Sequence, residues 1–240
     1  MNRRVLSAVF LTAVLVVVWS VPAFADLVSY IERSWDGSKV VSTDKQVNAT
    51  PVTSNTTSFT NNGWYVVKTN VEINERINVS GTANLILADG ATLTNDKGIE
   101  VAEGNTLNIY GQANDTGTFS AYLDENSRDP VSGAAIGGGS DYSSVTAPAG
   151  TITIHGGTIT ADGGSNGAGI GGGDNGSGGT ITIYGGSVIG YGGSWGAGIG
   201  GGDNGSGGII TIYGGSVIGY GSNGAGIGGG YNGSGGIITI

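Results

Sequence analysis

The chain has no cysteine, a single histidine, a single methionine and four prolines, the last of them Pro148. Without cysteine there is no disulfide framework and no thiolate metal site, so stability has to come from packing and hydrogen bonding. Charge is scarce too, at 11% of residues, and 150–240 contains no Lys, Arg or Glu. That absence, with 18 acidic residues against 9 basic ones, argues against nucleic acid and anionic lipid as partners. Beyond the N-terminus no apolar run is long enough to suggest a membrane span. Helical periodicity is missing throughout, which leaves an all-β chain.

Glycine is what the chain has in excess, 50 of 240 residues. Such a content suggests disorder unless the glycines hold a fixed phase between β-branched runs, and here they do. The segment GTITIHGG around Ile154 returns as GTITIYGG around Ile183 and GIITIYGG around Ile212, and GIITI ends at Ile240. These isoleucines are spaced by 29, 29 and 28 residues. A second phrase, GAGIGGG, follows the same beat at Ile170, Ile199 and Ile227, with a degenerate GAAIGGG at Ile136. A constant period of this size means one supersecondary unit stacked on its own copies, since one unit alone cannot bury its apolar face.

The first residues read as an export signal. Arg3 and Arg4 precede an apolar stretch at 5–19, and Ala23-Phe24-Ala25 supplies small residues for cleavage before Asp26. Removal of 1–25 would take two basic residues and leave a formal charge of −11. The mature protein is then expected to be secreted or at the cell surface, with no membrane attachment after cleavage. Residues 26–62 read as an amphipathic cap or strand at 27–35 followed by a mobile Thr/Asn linker. Between 63 and 149, short alternating runs such as Trp64-Tyr65-Val66-Val67, Leu85-Ile86-Leu87 and Leu107-Asn108-Ile109 are punctuated by Ser80-Gly81, Asp89-Gly90 and Glu103-Gly104 turns. Insertions at 122–132 and 140–149 interrupt the beat. From 150 the repeats are regular, and the last one stops inside a strand. That suggests a piece of a longer array, or an open final coil available for self-association.

Strands this short at this spacing predict a right-handed parallel β-helix with coils of 28–29 residues; an antiparallel β-prism or sandwich is the alternative. In each coil TITIY, SVIGY and GAGIG would be the three strands. Ile152 and Ile154 would point inward with Ile181 and Ile183 stacked on them, about 4.8 Å from coil to coil. Thr151, Thr153, Thr180 and Thr182 would point out.

The run WYVV, INVSG, NLILADGATLT, GIEVAEGNTLNIYGQ and GTF, followed by AAIGGG and the GGTITIYGG and GAGIGGG units, resembles secreted carbohydrate-binding-type domains of bacterial surface proteins. Those domains belong to the pectate-lyase-like superfamily of right-handed β-helices. The resemblance spans roughly 63–240 and implies a β-helical fold and a polysaccharide or cell-surface glycan as partner. No residue matches a lyase catalytic motif, so it implies no catalytic residue.

Chemistry is thin along the repeats. A polysaccharide lyase needs a base plus a cation to stabilise developing charge, yet His155 stands in the column of Tyr184 and Tyr213 and reads as an aromatic substitute. Asp162, Asp174 and Asp203 have Tyr191 and Tyr231 as repeat equivalents, so no carboxylate pair is preserved for a hydrolase. The Asp174-Asn175-Gly176 and Asp203-Asn204-Gly205 turns could offer oxygen ligands to calcium, but left-handed turn chemistry explains them without metal. Nothing calls for a cofactor. The aromatic residues Tyr184, Tyr191, Trp195, Tyr213 and Tyr220 are the candidate site, as outward rings on which sugar faces stack beside Thr and Asn hydroxyl and amide groups. The competing expectations are a structural surface array or protein-binding adhesin, and an ice-binding face made by the Thr columns.

Overall fold

The computed structural model describes residues 25–123, 132–139 and 147–240. The expected export signal, apart from Ala25, lies outside these residues, as do most of the two insertions.

The first described elements are β1 (Asp26–Trp35) and β2 (Val40–Pro51), followed by the short β3 (Ser58–Phe59). It then makes six similar circuits of three strands. These are β4 (Gly63–Val67), β5 (Val71–Ile73) and β6 (Ile77–Val79); β7 (Thr82–Leu87), β8 (Thr92–Asn95) and β9 (Ile99–Glu100); and β10 (Thr106–Tyr110), β11 (Thr118–Tyr122) and β12 (Ile136–Gly137). The last three are β13 (Thr151–Ile154), β14 (Thr158–Asp162) and β15 (Ile170–Gly171); β16 (Thr180–Ile183), β17 (Ser187–Tyr191) and β18 (Ile199–Gly200); and β19 (Ile209–Ile212), β20 (Ser216–Tyr220) and β21 (Ile227–Gly228), with β22 (Ile237–Thr239) beyond. The first strands of all circuits form one parallel sheet, the second strands another, and the third strands a narrow third sheet. The described residues are all-β with long parallel sheets.

Register is one to one throughout the repeats. Ile154 pairs with Ile183 and Ile183 with Ile212; Ile159 pairs with Val188; Ile170 pairs with Ile199. Each sheet therefore sends a column of apolar side chains inward, and these columns fill a single core in which Ile109, Ile154, Phe119, Ile159, Ile136 and Ile170 are fully buried. Burying one such side chain contributes roughly 1.5–3 kcal/mol. The intervening Thr and Ser residues stay half-buried on the outer faces. The insertions do not disturb this order, since Ala121 pairs with Ala161 and Ile136 with Ile170 across them.

The third sheet is narrow because GAGIGGG is a tight bend. The Ala168 N–H donates to the Gly172 carbonyl at 2.9 Å, with Ile170 directed into the core between them. Gly171 has φ +132°, and a Cβ there would stand 2.0 Å from the Gly200 oxygen. Gly137, Gly200 and Gly228 repeat the same positive φ.

The N-terminal segment departs from expectation. The stretch expected to be a mobile linker contains β2, which pairs antiparallel with β1 along the whole length of β1. Its last residues, Thr50 and Pro51, then join the first sheet beside Tyr65 and Val66. The sequence signal was missed because β2 is polar on its outer side, with only Ala49 fully buried.

Candidate functional site

The outward side chains at the end of the first sheet make one column: Val66, Ile86, Tyr110, His155, Tyr184 and Tyr213. Parallel stacking of equivalent positions sets its geometry. Tyr110 and His155 rings lie 4.4 Å apart, His155 and Tyr184 5.3 Å, and Tyr184 and Tyr213 5.1 Å, all within 17° of parallel. The hairpin lies lengthwise over this column. Val28, Tyr30 and Ala49 bury Val66, Ile86 and Tyr110 in a second, external apolar cluster. Tyr30 packs edge-on against Tyr110 at 4.9 Å, and Trp35 stacks on Tyr213 at 5.1 Å.

Polar contacts fix the hairpin to the same column. The Arg33 guanidinium donates to Asp115 at 2.6 Å and 3.2 Å and to the His155 carbonyl. Asp115 also accepts the Gly157 N–H at 3.2 Å. His155 Nδ1 lies 2.7 Å from the Arg33 carbonyl and 3.2 Å from its N–H. Burial holds the His155 imidazole below its ordinary value, aided by the Arg33 charge and opposed by the Arg33 backbone bond and Glu32. Burial likewise pushes the Tyr110 and Tyr184 phenols up.

These contacts correct the expectation for Tyr184 and Tyr213. Both are half-buried, with their faces occupied by ring neighbours and by Trp35, so they seat the hairpin and present no free platform. The three other expected site residues are exposed. Tyr191 (38%) and Tyr220 (51%) stack at 5.0 Å at the edge of the second sheet. Trp195 (38%), in the turn after Tyr191, meets Tyr231 (42%) in a T-shaped contact at 4.8 Å. Sequence reasoning overlooked Tyr231, treating it only as a lost aspartate. Its backbone N–H bonds to the Trp195 carbonyl at 2.8 Å, a pairing of turns from adjacent circuits that no local pattern reveals.

The two aromatic pairs offer different surfaces. Mutual stacking of Tyr191 and Tyr220 consumes one face of each ring. In the Trp195–Tyr231 pair the edge of one ring meets the other instead. Both pairs keep ring surface in solvent.

The Asp-Asn-Gly turns behave as turn chemistry. Asn175, Asn204 and Asn232 have φ of 53°, 54° and 58°, the left-handed region that Asn tolerates. Their amides form a ladder, with Asn204 donating to Asn175 at 3.2 Å and Asn232 to Asn204 at 3.4 Å. Desolvation pushes the Asp203 carboxyl up, with the neighbouring Asp174 charge adding to it. Among the described residues no group of three or more His, Cys, Asp or Glu could hold a metal ion. Arg76, half-buried, donates to the carbonyls of Lys97 at 2.8 Å and Ala134 at 3.0 Å and lies 3.6 Å from Glu100, tying three circuits together.

Comparison with protein-family models, with curated proteins and with solved structures gives no match to this chain.

Proposed function

We propose that this protein is a secreted or cell-surface, non-catalytic, right-handed parallel β-helix of the pectate-lyase-like type that binds polysaccharide through Tyr191, Trp195, Tyr220 and Tyr231. The observation that carries this reading is the pair of exposed aromatic contacts, held on adjacent circuits of a rigid array that has no Lys, Arg or Glu from Gly150 onward. Uncharged sugar rings present C–H faces to aromatic platforms, and a ligand without charge needs no ionic partner. Adjacent circuits offer repeated weak contacts whose sum is avidity. The non-catalytic part of the reading draws support from His155, which is buried beneath the hairpin and bonded to Arg33.

A glycan array probed with the secreted protein tests the reading, followed by retention on the best ligand. Trp195→Ala/Tyr231→Ala is expected to lose at least about tenfold in affinity, equivalent to about 1.4 kcal/mol, with an unchanged melting temperature. Tyr184→Ala is expected to do the reverse, lowering the melting temperature while binding persists. Wild-type protein that holds no glycan would overturn the carbohydrate reading in favour of a structural surface array.

A further inference from the structure

The outer face of the second sheet carries more than its tyrosine edge. Its strands pair one to one from β8 to β20, with no bulge in the register. Outward residues fall in three columns that run across the circuits. One holds Thr158 and Ser187, the next Thr160 and Ile189, and the third ends in Tyr191 and Tyr220. Neighbouring positions lie about 4.8 Å apart between circuits and about 6.6 Å apart along a strand. Hydroxyls, branched methyl groups and aromatic rings therefore repeat on a regular grid. From Thr158 onward Asp162 is the one charged residue on it. The hairpin covers the outward column of the first sheet and leaves Tyr191 and Tyr220 of the second exposed.

We propose that this face adsorbs to the flat surface of an uncharged, insoluble polysaccharide; the inference rests on the carbohydrate reading above. An open sheet face has no walls to enclose one soluble chain, so each sugar gains contacts on one side only. A solid presents many parallel chains at once, and contacts too weak singly become retention when every circuit contributes one. The hydroxyl columns match sugar hydroxyls in chemistry, and Ile189 and the tyrosines match the C–H faces. The near absence of charge fits an uncharged solid, because a charged side chain pressed against it would lose hydration without gaining a partner.

The test uses the secreted full chain, with microcrystalline cellulose and α-chitin as solids and their soluble hexasaccharides as competitors. Adsorption to a solid that the matching hexasaccharide does not displace is expected. Thr160→Lys/Ile189→Lys, two outward changes at the centre of the face, should lower partition onto the solid by about tenfold or more. The matched change on the first sheet, Thr153→Lys/Thr182→Lys, should leave it intact. If the lysine variant does not fold, Thr160→Gln/Ile189→Gln places uncharged bulk at the same points and is expected to reduce adsorption likewise. Hexasaccharide binding as tight as binding to the solid would overturn the flat-surface inference while leaving the carbohydrate reading standing. Unchanged adsorption of the second-sheet variants would overturn the inference as well. Absence of binding to any glycan would remove both, and adsorption to ice alone would reassign the grid.

Discussion

At the residue scale, glycine serves two separable needs here, a backbone angle and an absence of volume. Gly171 needs both, having φ +132° and a neighbouring carbonyl only 2.0 Å from where a Cβ would be. Gly104 needs only the angle, since its φ is +85° and no atom lies within 4 Å of that position. Gly171→Ala is therefore expected to cost at least about 3 kcal/mol, combining strain at positive φ with displacement of the next circuit. Gly104→Ala should cost about 1 kcal/mol, the left-handed penalty alone. Thermal melts of the two variants check this, and equal losses would contradict the role assigned to close packing at GAGIGGG. Asn175, Asn204 and Asn232 meet the angular need in the other turn without glycine, because their short polar side chains tolerate the left-handed region.

At the element scale, the hairpin of β1 and β2 works as a strap laid across the circuits. Its apolar side seals Val66, Ile86 and Tyr110, and beyond them Arg33 bridges Asp115 and the His155 carbonyl. His155 makes the strap sensitive to pH. Its folded value lies below its unfolded value of 6.5, so the unfolded chain takes up a proton that the strapped form refuses. The stabilisation is complete above about pH 6.5 and is lost as pH falls through the depressed folded value. Tyr110 and Tyr184 stack on the two faces of the ring, and the charges acting on it are those of Arg33 and Glu32. Amide exchange in Asp26–Trp35 should accelerate between about pH 7.5 and about pH 5 beyond its intrinsic pH trend. His155→Phe keeps the stacked ring and removes the titration, so its strap exchange should follow the intrinsic trend only. A variant that retained the wild-type excess would move the sensitivity elsewhere.

At the scale of the whole molecule, stability is a sum over stacked circuits, each contacting its neighbours. Alternation along one strand then decides the fate of a charge. Ile181 is fully buried and Thr182, the next residue, is half-exposed. Ile181→Asp places an unpaired carboxylate in the shared core, at a cost of several kcal/mol that three adjacent circuits must absorb. Thr182→Asp leaves its charge in solvent and should change stability by less than about 1 kcal/mol. Urea melts followed by far-ultraviolet circular dichroism check the contrast, and similar midpoints would mean that the inward face is misassigned.

Much of this architecture was legible in the chain itself. Period 29 with alternating Ile and Thr identified the three strands of each repeat and their inward residues, because in-register stacking makes every circuit bury the same positions. Asn-Gly turns and positive-φ glycines were legible for the same reason, being fixed by local backbone sterics. The fate of the aromatic columns was not. Alternation says that Tyr184 and Tyr191 both leave the core, but it cannot say that a hairpin whose Arg33 lies 122 residues before His155 returns to cover one column and leaves the other open. Nor could local pattern place Tyr231 against Trp195, since they meet through turns of successive circuits. Local sequence determined which side of each strand faces the core; only the tertiary path of β1 and β2 decided which outward rings remain available to a ligand, because covering a surface is a contact between distant parts of the chain.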